Sequence, residues 1–239
     1  MEKKTINTPF FCVNPKAYLY GDEALELAKT ADALAEKYAI DIFFTVQYAD
    51  AFRIAQETNH LIITVQHMDS LNIGPGMGYI LPEGLVAAGV QATFLNHAEH
   101  PVGVNDLVKM MKRAEELGIL VIACADSIAE AQAIATLAPD IMVCEPTELI
   151  GTGKTSDASY MRETNEAVKS VSPNTLVLQA AGISSAQDVR LAIESGADGT
   201  GGTSGIVCAA DPMQTLTEMV ETVAAVRSEQ RELANENIY

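Results

Sequence analysis

Positive charge is scarce in this sequence. Fifteen Lys and Arg stand against thirty-two Asp and Glu in 239 residues, a formal net charge of −17. Such a field repels polyphosphate, which disfavours wrapping of nucleic acid or adhesion to anionic lipid. A small phosphorylated ligand remains compatible, because a few backbone N–H groups and one lysine outweigh the mean field locally. Long apolar runs are also missing, and none approaches the roughly 18 residues of a membrane span. Met1-Glu2-Lys3-Lys4 leads into no apolar h-region, so no secretory signal is expected and a cytoplasmic protein is the default. The four cysteines, Cys12, Cys124, Cys144 and Cys208, include no C-x-x-C pair and read as small buried hydrophobes in a reducing compartment. Of the histidines only His97 and His100 are close, with no Cys or Glu spacing of a metal site, so no metal is expected. Linkers and low-complexity tracts are absent as well. Residues 1–239 read as one domain.

What is present is alternation. Apolar runs at Phe10–Val13, Ile40–Phe44, Leu61–Val65, Val90–Leu95, Ile119–Cys124, Ile141–Cys144 and Leu176–Leu178 are each followed by a stretch of helical pattern. The runs are continuous rather than alternating, as expected of strands buried on both faces. Pro82 suits the first turn of a helix, where a missing N–H costs nothing. An eighth run, Gly196–Gly201, has few apolar residues before a last helix that starts near Asp211. Eight strand–helix units in about 240 residues are the arithmetic of an α/β fold of one kind, a single (β/α)8 TIM barrel. Asn14-Pro15-Lys16 is not the Gly-rich turn that opens a dinucleotide-binding sheet.

Barrel active sites lie at the C-terminal ends of the strands. The polar residues there are Asn14 and Lys16, Gln66 and His67, Asn96, His97 and Glu99, Glu145, Gly182 and Ser184, and Thr203 and Ser204. A lysine, a histidine and one or two carboxylates converging on a cavity form a set suited to proton transfer. Gly153-Lys154-Thr155 suggests a nucleotide loop, but Glu148 stands where its first glycine is needed.

Asn14-Pro15-Lys16, Asn96-His97-Ala98-Glu99, Glu145-Pro146 through Ile150-Gly151-Thr152-Gly153-Lys154-Thr155, and Ala181-Gly182-Ile183-Ser184 together resemble the triosephosphate isomerase family. Length and the run Pro146–Gly151 are most similar to its shorter, archaeal-type branch. The resemblance implies an aldose–ketose isomerase for a small phosphorylated sugar, with neither cofactor nor metal. It implies Glu145 as the base that moves a carbon-bound proton, His97 as a neutral electrophile, and Lys16 as the cation for oxyanion and phosphate. Asn14 would orient Lys16, and Glu99 would support the site. Gly151, Gly182, Ser184, Thr203 and Ser204 would hold the phosphate, and Ile150 would close over Glu145. The Gly-rich loop Gly74-Pro75-Gly76-Met77-Gly78 would reach a partner subunit, giving a homodimer or homotetramer. His100 reads as an ordinary loop histidine.

The sequence departs from the family at Ala98 (usually Ser), His100 (often Arg), Met77 (usually Thr), Pro15, and Thr203-Ser204 where longer relatives carry two glycines. Alternatives therefore stay open: an isomerase of a four-carbon sugar phosphate of the erythrulose type, a lyase with a Schiff base on Lys16, and a catalytically dead regulatory paralogue.

Overall fold

Each apolar run forms a strand with both faces covered, and a helix follows each one. The computed structural model describes residues 3–145 and 157–236. The strands are β1 (Phe10–Val13), β2 (Ile42–Val46), β3 (Leu61–Val65), β4 (Ala92–Leu95), β5 (Leu120–Ala125), β6 (Ile141–Cys144), β7 (Leu176–Gln179) and β8 (Gly199–Gly202). The helices are α1 (Gly21–Tyr38), α2 (Tyr48–Glu57), α3 (Pro82–Ala87), α4 (Val104–Leu117), α5 (Ile128–Ala135), α6 (Ala158–Val171), α7 (Ala186–Glu194), α8 (Ser204–Val207) and α9 (Pro212–Glu236). All eight strands are parallel and close in sequence order, with Phe10 opposite Gly199 and Val13 opposite Gly202. This is the expected (β/α)8 barrel.

Alternation divides each strand between two cores. Phe10, Cys12, Phe43, Phe94, Ile122 and Cys124 fill the barrel interior, whereas Phe11, Val13, Ile42 and Phe44 pack under the helices. Phe10 and Phe43 meet edge to face at 5.3 Å, a geometry favoured by the aromatic quadrupole. Three cysteines are buried; Cys208 is exposed and departs from the expected core role.

Three strands start later than their apolar runs do. Ile40, Val90 and Ile119 donate their N–H groups to Ala35, Leu85 and Ala114, closing the C-termini of α1, α3 and α4. Ala39, Gly89 and Gly118, the residues just before them, take left-handed φ angles of 49°, 88° and 72°. An apolar residue just after such a cap packs back on the helix it ends. These residues are buried, but they belong to the helix stop rather than to the strand.

The weak eighth run is a full strand. Its glycines are a packing requirement: a Cβ on Gly199 would lie 2.4 Å from the Phe10 ring, and one on Gly201 would lie 2.0 Å from the Cys12 carbonyl oxygen. A short turn, α8, separates β8 from α9 and was not expected. A Cβ on its Gly205 would lie 2.2 Å from the Ile183 carbonyl oxygen, so the β7 and β8 loops touch through backbone.

Candidate active site

The loops at the C-terminal ends of β1, β4, β6, β7 and β8 enclose a cavity of about 360 Å³. Cys12, Phe94, Cys124, Val143 and Leu178 make an apolar floor. The rim carries Asn14, Lys16, His97, Glu99, Glu145, Gly182, Thr203 and Ser204. Eight of the expected site residues therefore converge. Ser184 does not line the cavity: its N–H and hydroxyl both donate to the Asp188 carboxylate (3.0 and 3.1 Å), at the start of α7. Ile150 and Gly151, with the rest of the segment 146–156, lie outside the described residues.

Lys16 is held by its backbone. Its φ of 47° is left-handed, a conformation that costs a non-glycine residue about 1–2 kcal/mol. Three hydrogen bonds offset that cost. The Lys16 N–H donates to Asn14 Oδ1 (3.0 Å), and its carbonyl accepts from Gln47 Nε2 (2.8 Å) and Gln66 Nε2 (2.9 Å). Gln47 is not among the residues expected from the sequence, and Gln66 is expected only as a strand-end residue. Their shared signal is position, since each immediately follows the last residue of its strand.

The Lys16 ammonium then reaches across the mouth to Glu99 Oε1 at 2.8 Å. Glu99 in turn donates its backbone N–H to His97 Nδ1 at 3.1 Å. An imidazole that accepts at Nδ1 carries its proton on Nε2 when neutral. Burial and the neighbouring Lys16 charge push the His97 pKa down, against a smaller pull from Glu99. Burial raises Glu99, but the hydrogen bond and charge of Lys16 outweigh it and leave Glu99 low. The site thus presents a neutral imidazole between two fixed charges.

Glu145 follows β6 and donates its N–H to the Ala125 carbonyl (3.0 Å). Burial pushes its carboxyl up to about 7, with Lys16 pulling down and Glu99 pushing up. A carboxylate balanced near neutrality is the usual state of a general base. Below it, burial pushes the Cys12 thiol up to about 12 and holds Cys124 well above its ordinary value. Both thiols are inert floor atoms at neutral pH. Outside the mouth, His100 is stacked on His67 at 4.3 Å.

No group of three or more His, Cys, Asp or Glu among the described residues is arranged to hold a metal ion. No helix among them is long and apolar enough to cross a membrane.

A closed parallel barrel whose mouth joins a poised carboxylate, a neutral imidazole and an ammonium is the architecture of a (β/α)8-barrel enzyme equipped for proton transfer. The family model of triosephosphate isomerase matches residues 9–223. Triosephosphate isomerases of Methanobacterium bryantii (37% identity, 90% of this chain and 97% of that one) and Methanosarcina mazei (33%, 91% and 100%) are similar over nearly their whole lengths. That of Methanothermus fervidus is 33% identical over 220 residues. The chain belongs to the triosephosphate isomerase family.

Proposed function

We propose that this protein interconverts glyceraldehyde 3-phosphate and dihydroxyacetone phosphate. The observation that carries the reading is the Glu145 carboxyl, raised to about 7 at the barrel mouth that also presents Lys16, Glu99 and His97. Glu145 takes the proton from the carbon beside the substrate carbonyl and returns it to the neighbouring carbon. His97 Nε2–H faces the oxygen on which negative charge develops, and a neutral donor there can also return a proton. The Lys16 ammonium stabilises the same charge and draws in the dianion. Asn14 holds the turn that aims Lys16, and Glu99 fixes both the lysine and the imidazole.

The phosphate is assigned to the opposite side of the mouth, at Gly182, Thr203 and Ser204. Ser204 and Gly205 open a single helical turn, so their N–H groups have no acceptor within it. Ser184 joins this set only if Asp188 releases it. Ile150 and Gly151 are assigned to the cover over Glu145 and the phosphate on the strength of the family motif. The barrel is read as one functional unit needing no cofactor.

A homodimer or homotetramer is part of the proposal. The loop between β3 and α3 is clasped at its base, where Ile80 N–H donates to Asp69 Oδ2 (2.6 Å) and Asp69 N–H to the Ile80 carbonyl (3.2 Å). Beyond the clasp, Ile73, Met77 and Tyr79 are exposed, Met77 completely. Apolar side chains on a fixed loop suit insertion into a second copy. Sedimentation should show a dimer or larger assembly, and a fully active monomer on dilution would refute it.

Turnover of each triose phosphate in a coupled assay, with erythrulose phosphate as competitor substrate, tests the reaction. Isomerisation with solvent deuterium entering the product is expected. A kcat/KM tenfold higher for the four-carbon sugar would move the substrate while keeping the chemistry. Absence of turnover on any phosphorylated sugar would overturn the reading.

A further inference from the structure

The turn that follows β4 carries both His97 and Glu99, and its shape depends on a side chain that does not line the cavity. Asn96 is buried and has a φ of 58°. Its Nδ2 donates to the Cys124 carbonyl at the end of β5 (3.0 Å) and to Glu130 Oε1 on α5 (3.1 Å). Its Oδ1 accepts the Val102 N–H (3.0 Å), which closes the loop of residues 97–101 at its base. The amide orientation is settled by these partners, since a carbonyl and a carboxylate can only accept and a backbone N–H can only donate.

Glu130 is bound on both sides. Its Oε2 accepts the Asp126 N–H (2.7 Å), and its own N–H donates to the Ser127 hydroxyl (3.3 Å) at the start of α5. Ser127-Ile128-Ala129-Glu130 thus belongs to a helix-start pattern in which serine and a glutamate three residues later satisfy free N–H groups. One carboxylate oxygen serves that start. The other is directed across to the neighbouring loop, where it has no helical task.

We propose that Asn96 and Glu130 are positioning residues for the reaction, tying the turn that presents His97 and Glu99 to the ends of β5 and α5. The proposal rests on the isomerase reading. The physical case is the choice of residue. Left-handed backbone at position 96 would suit glycine best. Asparagine tolerates it and adds three hydrogen bonds that glycine lacks. Those bonds fix the loop in which Glu99 N–H meets His97 Nδ1, and that contact sets the imidazole tautomer. Loosening the turn shifts the imidazole relative to the reacting oxygen, and misplacement by about 1 Å costs on the order of a hundredfold in rate.

Asn96→Gly separates backbone from side chain, because it keeps the left-handed turn and removes only the bonds. Asn96→Asp leaves an acceptor for Val102 but sets a carboxylate against Glu130. Combined with Glu130→Gln, it reverses donor and acceptor across that one contact, while the Cys124 carbonyl stays without its donor. Steady-state kinetics and ring-nitrogen NMR of His97 are measured for the parent, Asn96→Gly, Asn96→Asp, Glu130→Gln and the reversed pair. Expected is a kcat about 10- to 100-fold lower in each single variant. KM should change less than kcat, since the assigned phosphate loops are on β7 and β8 and the turn reaches the phosphate only through the Glu99–Lys16 contact. The reversed pair should regain about tenfold over Asn96→Asp, and the ring should change from one tautomer to a mixture in Asn96→Gly. A folded Asn96→Gly with parental kcat and unchanged ring nitrogens overturns the proposal, as does a reversed pair no better than Asn96→Asp. Should Asn96→Gly fail to fold, Glu130→Gln carries the same comparison. If the parent turns over no triose phosphate, the isomerase reading falls, and the ring-nitrogen comparison still decides whether Asn96 positions His97.

Discussion

Glu145 and Lys16 make opposite demands on the protein. Burial raises the Glu145 carboxyl to about 7, so the folded state holds a proton that the unfolded chain releases near its ordinary value of 4.5. Stability therefore falls as pH rises from about 4.5 to 7, and then levels. Glu145→Gln removes that penalty. At pH 8 it should raise stability by roughly 1–3 kcal/mol while lowering kcat by several orders of magnitude, with binding of a substrate analogue retained. Urea unfolding and turnover measured on the same sample check both signs; a variant that is less stable at pH 8 contradicts the desolvated carboxyl. In the parent, kcat/KM should climb with pH and flatten above about 7. Lys16→Met keeps length and removes charge, so KM should rise and kcat fall together. A rise in KM alone would confine Lys16 to phosphate binding. At this scale the meeting of Lys16, His97 and Glu145 at one cavity was legible, because each follows a strand whose apolar run could be read. Their supports were not. Gln47, Gln66 and Glu130 act through contacts between residues 31 to 50 positions apart, and no local pattern announces such pairs.

Among the elements, strand ends were easier to read than strand beginnings. A strand's apolar run stops at the polar site, whereas an apolar helix cap such as Ile40 or Ile119 looks like one more strand residue. Only the left-handed residue ahead of it tells the difference, and Ala39 gives no hint of that in the way Gly118 does. β8 was underrated for a related reason. Apolar content measures what a strand contributes to a core, and β8 contributes space. Phe10 fills that space, so Gly199→Ala should cost about 1–3 kcal/mol through overpacking, seen as a lower urea midpoint with an unchanged slope. A paired Phe10→Leu change should recover part of the loss. No recovery would show that the strain lies in the strand backbone rather than at the ring.

The molecule divides its labour between its two ends. Opposite the site, three aspartates just before strands repeat one arrangement. Asp41 accepts the Asn7 N–H (2.7 Å), Asp140 that of Val121 (2.8 Å) and Asp198 that of Val177 (2.8 Å). Lys4, Lys3 and Lys169 pair with them in turn. Asp140→Asn should lower stability by about 1–3 kcal/mol, because a partly buried charge-assisted bond is weakened, and leave kcat and KM unchanged. A change in kcat would mean that the two ends are coupled. Closure of the barrel also sets a schedule. The Phe10–Val13 strand has its second neighbour only in Gly199–Gly202, about 190 residues later. At the usual pace of synthesis that neighbour arrives roughly 10–40 s after the first strand is made. Through that interval the growing chain carries an open edge on its earliest strand, and the last four residues of sheet to be made, three of them glycine, are the ones that end the exposure.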